Sequence, residues 1–164
     1  MNEITYVNTG EVKLGDKSTI LNSGAIGSCV VVCMYNSLLK TGAMAHIMLP
    51  GIGSAENEMN TKYASNAILK LMELMNKNND QSVKLETCII GGANVLKRPN
   101  DTIGKNNIDS VEKLLDEKGI RICVKAVGGY KRRTAVFDIE KACINYTEGD
   151  SKEEILWETI SDSK

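Results

Sequence analysis

Gly24-Ala25-Ile26-Gly27-Ser28-Cys29-Val30-Val31-Val32-Cys33-Met34, followed after a short polar break by Ala43-Met44-Ala45-His46-Ile47-Met48-Leu49-Pro50, is the stretch that decides the fold. Val30–Met34 is a β-branched apolar run suited to a strand buried on both faces. Ala43–Leu49 is a second such run, ended by Pro50, which has no N–H to extend a ladder. The connection Tyr35–Thr41 is short enough for a hairpin. A turn centred between Ser37 and Leu38 would set Cys29 opposite His46 across the two strands, whereas a slip of one residue would turn one of these side chains to the other face.

Outward from this core, Lys40 is the only full charge between Ser18 and Glu56, while the rest of the chain is densely charged, so this segment is expected to form the buried centre. Ser18–Leu39 approaches the length of a membrane-spanning helix, but Ser18, Thr19, Asn22, Ser23, Ser28, Asn36 and Ser37 interrupt it and Gly24 and Gly27 weaken any helix, so membrane insertion is not expected. Tyr63, Ala64, Ala67, Ile68, Leu71, Met72 and Met75 recur at helical spacing behind Asn60 and Thr61, predicting a helix over about 61–77 that lies on the sheet. Leu85–Ile90 reads as a strand stopped by Gly91-Gly92, and Ile108, Val111, Leu114 and Leu115 as a second amphipathic helix stopped by Gly119. Ile120–Val127 alternates as a strand ending in Gly128-Gly129, before strands at Thr134–Asp138 and Cys143–Tyr146; Glu153–Ile160 fits a strand or a helix. This order predicts an α/β fold over residues 1–164: a single-domain layered sandwich with a mixed β-sheet and two main helices.

Composition removes several function classes. The 164 residues carry 20 basic and 21 acidic side chains, a net charge of -1 that gives no bulk attraction to nucleic acid or anionic membrane. Five cysteines without a C-x-x-C pair, beside one histidine, do not have the spacing of a zinc site, so no metal is expected. An odd number of cysteines in a chain of this size reads as reduced thiols in the cytoplasm, and Met1–Gly10 has no apolar run of the secretory type.

A histidine in an apolar strand is ordinarily a core residue, and so is a buried cysteine. Cys29 differs in context. It follows the glycine-bearing segment Gly24-Ala25-Ile26-Gly27-Ser28, read as a turn at the mouth of a strand, where successive backbone N–H groups near Gly27 and Ser28 can converge on one point as an oxyanion hole. A thiol becomes a nucleophile beside a base, and His46 is the only imidazole in the chain. The base needs an orienting group, and with no carboxylate nearby this is expected to be Asn22, Ser23 or a backbone carbonyl. Cys33, Cys88, Cys123 and Cys143 lack such a setting and are read as core.

With these residues in order, Gly27-Ser28-Cys29-Val30, then Gly42-Ala43-Met44-Ala45-His46-Ile47-Met48-Leu49-Pro50, Lys62-Tyr63-Ala64, Gly91-Gly92-Ala93, Ile103-Gly104 with Asn107, and Gly128-Gly129 with Arg133, the chain resembles the CheD family of chemoreceptor glutamine deamidases. The resemblance implies a cysteine hydrolase without cofactor that converts glutamine side chains on the cytoplasmic helices of methyl-accepting chemoreceptors to glutamate. It also implies a fold similar to deamidating bacterial toxins and a CheC-type phosphatase as partner. Carried over by position, the nucleophile is Cys29, the base His46, and the third residue, a threonine in the family, is Ser23; Asn106 stands where the family has arginine. Loop 51–60, acidic at Glu56 and Glu58, is expected to border the site as a lid. Two other classes compete: a non-catalytic chemotaxis adaptor that acts by binding CheC, and another cysteine hydrolase such as a receptor methylesterase or a peptidase.

Overall fold

The computed structural model describes residues 1–53, 60–76 and 82–160. Along the chain these form β1 (Glu3–Tyr6), β2 (Val12–Gly15), β3 (Thr19–Ile26), β4 (Val30–Asn36), β5 (Thr41–Ile47), α1 (Ala64–Leu74), β6 (Glu86–Gly91), α2 (Ile103–Glu117), β7 (Ile122–Val127), β8 (Arg133–Asp138), β9 (Cys143–Glu148) and β10 (Glu154–Glu158). The strands make two five-stranded sheets, ordered β2-β5-β4-β6-β7 and β1-β3-β8-β9-β10. Both are mixed: β6 pairs with β7 and β1 with β3 in parallel, and the remaining pairs are antiparallel. The architecture is the layered α/β sandwich expected from the order of elements, with its strands divided between two sheets.

The valine run explains this layering. Successive side chains of a strand point to opposite faces. On β4, Val30, Val32 and Met34 pack under α1 and α2 together with Ala43, Ala45 and Ile47 of β5. Val31, Cys33 and Tyr35 face the second sheet, where they meet Leu21, Phe137 and Trp157. Every residue of β4 is therefore buried, and the uncharged stretch is the centre of the molecule. The segment left open between strand and helix is a strand, β10, because Trp157 inserts between the sheets against Tyr35 (ring centroids 5.5 Å apart) and Phe137 (6.3 Å).

Three expectations need correction. First, β4 and β5 pair so that Val31, not Cys29, lies opposite His46. The side chain of Asn36 accepts the N–H groups of Leu38 (3.0 Å) and Leu39 (3.1 Å), and Lys40 takes a left-handed conformation (φ 51°), giving a four-residue turn centred one residue later than supposed. Because the pairing shifts by two, Cys29 stays on the side of Val31 and lies diagonally from His46. Second, Gly24, Ala25 and Ile26 belong to β3, so the turn before β4 is only Gly27–Cys29. Third, Cys123 is exposed and Cys143 half-buried. Cys123 is the extra residue of a bulge in the edge strand β7, between Ile122, paired with Thr87, and Val124, paired with Cys88, and the bulge turns it out of the core.

Cys33 and Cys88 face each other across β4 and β6, and burial pushes the Cys88 thiol up to about 12. Cys88→Ala is expected to lower stability by about 0.5–1.5 kcal/mol, as for deletion of one methyl-sized group in a core, and Cys123→Ala to stay within about 0.5 kcal/mol of the parent. Urea denaturation of the two variants checks this.

Candidate active site

His46 sits at the rim of the layer between the sheets, 2% exposed. Its ring is held by the segment that joins β1 to β2. The carbonyl of Val7 lies 3.0 Å from Nδ1, and a carbonyl only accepts, so in the neutral ring Nδ1 carries the proton and Nε2 the lone pair. The same segment fixes the backbone of His46, which donates its N–H to Glu11 (3.0 Å) and accepts from Gly10 (2.8 Å). Nε2 is buried and, among the described residues, has no hydrogen-bond partner. Burial lowers the pKa of His46 below its ordinary value of 6.5, against the opposing pull of the Val7 and Ser23 carbonyls and the Glu11 carboxylate. The residue is thus a neutral imidazole with an unused lone pair.

Cys29 occupies the turn between β3 and β4, half-buried against the same layer. Burial raises its pKa, while the Thr9 side chain and the backbone N–H of Cys29 itself favour the thiolate. The segment after β1 therefore acts on both candidates, Val7 by its hydrogen bond to the imidazole and Thr9 by favouring the thiolate. Sequence reading passed over Thr9. Its signal lies in the turn residues Asn8-Thr9-Gly10, which precede β2, but nothing local in that tripeptide reveals that it folds back over Cys29.

Ser23 has another local task. It lies in a bulge where Ser23 and Gly24 together oppose Ala135 of β8. Its hydroxyl donates to the carbonyl of Gly24 (2.7 Å) and accepts the N–H of Ala135 (2.9 Å), while its carbonyl faces His46. Of the three candidate orienting groups, the one bonded to Nδ1 is a backbone carbonyl.

The turn itself is fastened from beneath. Gly27, Ser28 and Cys29 direct their carbonyls to the N–H of Ala93 (2.9 Å), Nδ2 of Asn107 (2.9 Å) and the N–H of Gly92 (2.7 Å). Gly91 makes this approach feasible. A Cβ there would lie 2.3 Å from the Cys29 carbonyl oxygen, and its φ of 121° is open only to glycine. Gly27, by contrast, has room for a side chain, since an added Cβ would come no nearer than 3.7 Å to Val95. Arg133, 5% exposed, reaches the carbonyls of Gly128 (2.8 Å) and Gly91 (3.4 Å) and joins the two glycine pairs below the turn. Beside Gly27 and Ser28 opens a cleft of about 260 Å³ walled by Ala93, Asn94, Val95 and Leu96, with Ile103 at its edge. Glu56 and Glu58, expected on a lid, lie outside the described residues. Among the described residues, no group of three or more His, Cys, Asp or Glu side chains gathers in a metal-binding arrangement, and no helix is long and apolar enough to cross a membrane.

A family model described as CheD chemotactic sensory transduction matches residues 48–147. The chain belongs to the CheD family. It is 36% identical over 151 residues, 92% of this chain and 75% of the relative, to a probable chemoreceptor glutamine deamidase CheD of Chlorobium luteolum. It is 35% identical over 134 residues, 79% of this chain and 85% of the relative, to the chemoreceptor glutamine deamidase CheD of Thermotoga maritima. A probable chemoreceptor glutamine deamidase CheD of Clostridium novyi is 37% identical over 124 residues, 73% of this chain and 76% of its own. The family model begins two residues after His46. The Chlorobium match, at 151 of 164 residues, necessarily includes both Cys29 and His46.

Thr9→Val, which removes the hydroxyl and keeps the shape, is expected to slow alkylation of Cys29 by iodoacetamide near neutral pH by raising the thiol pKa, and Thr9→Ser to restore the rate. Peptide mass spectrometry at Cys29 separates this thiol from the exposed Cys123.

Proposed function

We propose that this protein is a chemoreceptor glutamine deamidase in which Cys29 is the nucleophile and His46 the general base. The reading is carried by Nε2 of His46, buried and without a partner among the described residues in a ring whose Nδ1 is held by the Val7 carbonyl, in a chain of the CheD family.

The resting pair is a thiol and a neutral imidazole, because burial raises the Cys29 pKa and lowers that of His46. Proton transfer therefore accompanies attack. Nε2 takes the Cys29 proton as the sulfur adds to the side-chain amide carbon of a glutamine, and the carbonyl oxygen becomes an oxyanion. Backbone N–H groups of the Gly27–Cys29 turn stabilise it, a contribution of about 2.7–4 kcal/mol per donor in comparable enzymes. The imidazolium returns the proton to the leaving nitrogen, ammonia departs, and a thioester remains. Water then attacks the thioester with Nε2 as base, releasing glutamate and restoring the thiol; the sum is glutamine plus water to glutamate plus ammonia. Val7 holds the tautomer that makes Nε2 the base, and Ser23 supports the ring from the bulge in β3. The substrate is the cytoplasmic helical region of a chemoreceptor, which places the protein in the cytoplasm, and a CheC-type phosphatase is its regulatory partner.

Incubation of the protein with a purified chemoreceptor cytoplasmic fragment, followed by peptide mass spectrometry, tests the reading. Glutamine residues are expected to gain the mass of an amide-to-acid change. Cleavage of the chain would identify a peptidase, and loss of methyl groups from methylated glutamate an esterase. Binding of the partner with no change in mass would identify an adaptor. Cys29→Ala is expected to abolish conversion with stability close to that of the parent.

The pH dependence follows from the base. His46 works as the neutral imidazole, so kcat/KM should fall with acidification along a limb whose midpoint lies below 6.5. Burial of the neutral ring also makes the unfolded state bind the proton first, so stability declines as pH falls from 6.5 toward the lower folded pKa and gains nothing from this group above 6.5. His46→Gln removes both effects. A pH–rate profile of the parent and melting of both proteins between neutral and mildly acidic pH measure them.

A further inference from the structure

Two of the three carbonyls of the Gly27–Cys29 turn are held by backbone N–H groups of the segment after β6, but the middle one is held by a side chain from α2. Nδ2 of Asn107 donates to the carbonyl of Ser28 (2.9 Å) and, with its second hydrogen, to the carbonyl of Met48 (3.1 Å). One amide nitrogen thus ties the peptide that precedes the nucleophile to the backbone two residues beyond the base.

Asn107 is an unusual occupant of its place. The buried face of α2 is otherwise Gly104, Val111 and Leu115, and Asn107 is 0% exposed among them. Its Oδ1 is buried with no partner among the described residues, which costs stability, and a side chain such as leucine would fill similar space without that cost. The two donated hydrogen bonds are what asparagine adds at this position. In a planar trans peptide the C=O and N–H point in opposite directions. Holding the Ser28 carbonyl toward α2 therefore turns the Cys29 N–H away from the helix.

We propose that Asn107 is a positioning residue that builds the oxyanion hole, fixing the Ser28–Cys29 peptide so that the Cys29 N–H meets the oxygen of the tetrahedral intermediate. The proposal rests on the reading of Cys29 as the amidohydrolase nucleophile. It separates Asn107 from a residue that merely supports the fold, because an oxyanion donor is needed for acyl chemistry and is not needed for alkylation of the thiol.

The test compares the full-length parent with Asn107→Leu, which has no donor, and Asn107→Ser, whose single O–H serves one carbonyl at most. Deamidation of the chemoreceptor fragment gives kcat and KM, iodoacetamide labelling gives the rate and pH profile at Cys29, and thermal melting confirms folding. For Asn107→Leu, kcat is expected to fall about 10²–10³-fold, with KM unchanged and alkylation of Cys29 slowed far less than kcat; Asn107→Ser should be intermediate. If Asn107→Leu does not fold, the serine variant carries the same comparison. A folded variant with the parent's kcat overturns the proposal, and so does a parallel loss of kcat and alkylation rate, which would mark a purely structural support. Absence of deamidation by the parent refutes the proposed function itself, and the assignment to Asn107 falls with it.

Discussion

The hydrogen bond between the Val7 carbonyl and Nδ1 of His46 is the constraint on which the rest of the site depends. A backbone carbonyl has no proton to give and cannot change its charge, so it fixes the neutral ring in one tautomer over the whole range in which the protein is folded. That leaves Nε2 as the only basic atom of the imidazole. A carboxylate in the same place would also have orientated the ring, but it would have raised the pKa and stabilised the imidazolium. Here burial acts in the opposite sense, and the nearest carboxylate influence, that of Glu11, is the weakest of those acting on the ring. The neutral environment follows from the absence of carboxylates between Ser18 and Glu56, which also makes the segment apolar enough to form the central strands.

Most of the fold can be read from the sequence because its central strands carry strong patterns. Val30–Met34 is apolar at every position, and the structure buries both of its faces. The two helices follow the 3.6-residue spacing of their apolar residues, and Gly119 lies just beyond α2 in a left-handed conformation (φ 69°). The three N-terminal strands had no such signal. Glu3–Tyr6 and Val12–Gly15 are four residues each, the first mostly exposed and the second mostly exposed or half-buried, and Thr19–Ile26 carries two polar residues and a glycine at the bulge that breaks its alternation. Their pairing is decided by tertiary contacts with β5 and β8 rather than by local preference.

The candidate site was legible in its residues and less so in its geometry. Scarcity singled out His46, and the turn before the valine run singled out Cys29. Their relation across the hairpin depended on a turn whose centre is set by two hydrogen bonds to the Asn36 side chain, a detail that no hydrophobic pattern encodes. The error was benign because side chains repeat with period two: a shift of the paired sum by two preserves the face. Thr9, Gly91 and Asn107 come to the site from a preceding loop, a later strand and a later helix. Only long-range folding gives these residues a common purpose, so a reading that proceeds along the chain meets them as ordinary turn, strand-end and helix residues.

Together the pKa directions define the kind of catalysis this site can support. An ion pair of thiolate and imidazolium at rest would require a lowered cysteine pKa and a raised histidine pKa, and burial moves both the other way. The thiol is therefore protonated at neutral pH, and in the proposed mechanism its nucleophilicity is generated at the moment of attack. This makes the fastening of the turn consequential. Its three carbonyls are anchored to the segment after β6 and to α2, and Gly91 lies close beneath it where no side chain would fit, so the backbone around the sulfur has little freedom to relax. Charge that appears only in the transition state is best met by dipoles already in place, since dipoles that must reorganise give back part of what they stabilise. A rigid turn beneath an unactivated thiol also limits adventitious reaction, because an electrophile that does not present an oxygen to the turn meets a protonated sulfur and no stabilised oxyanion.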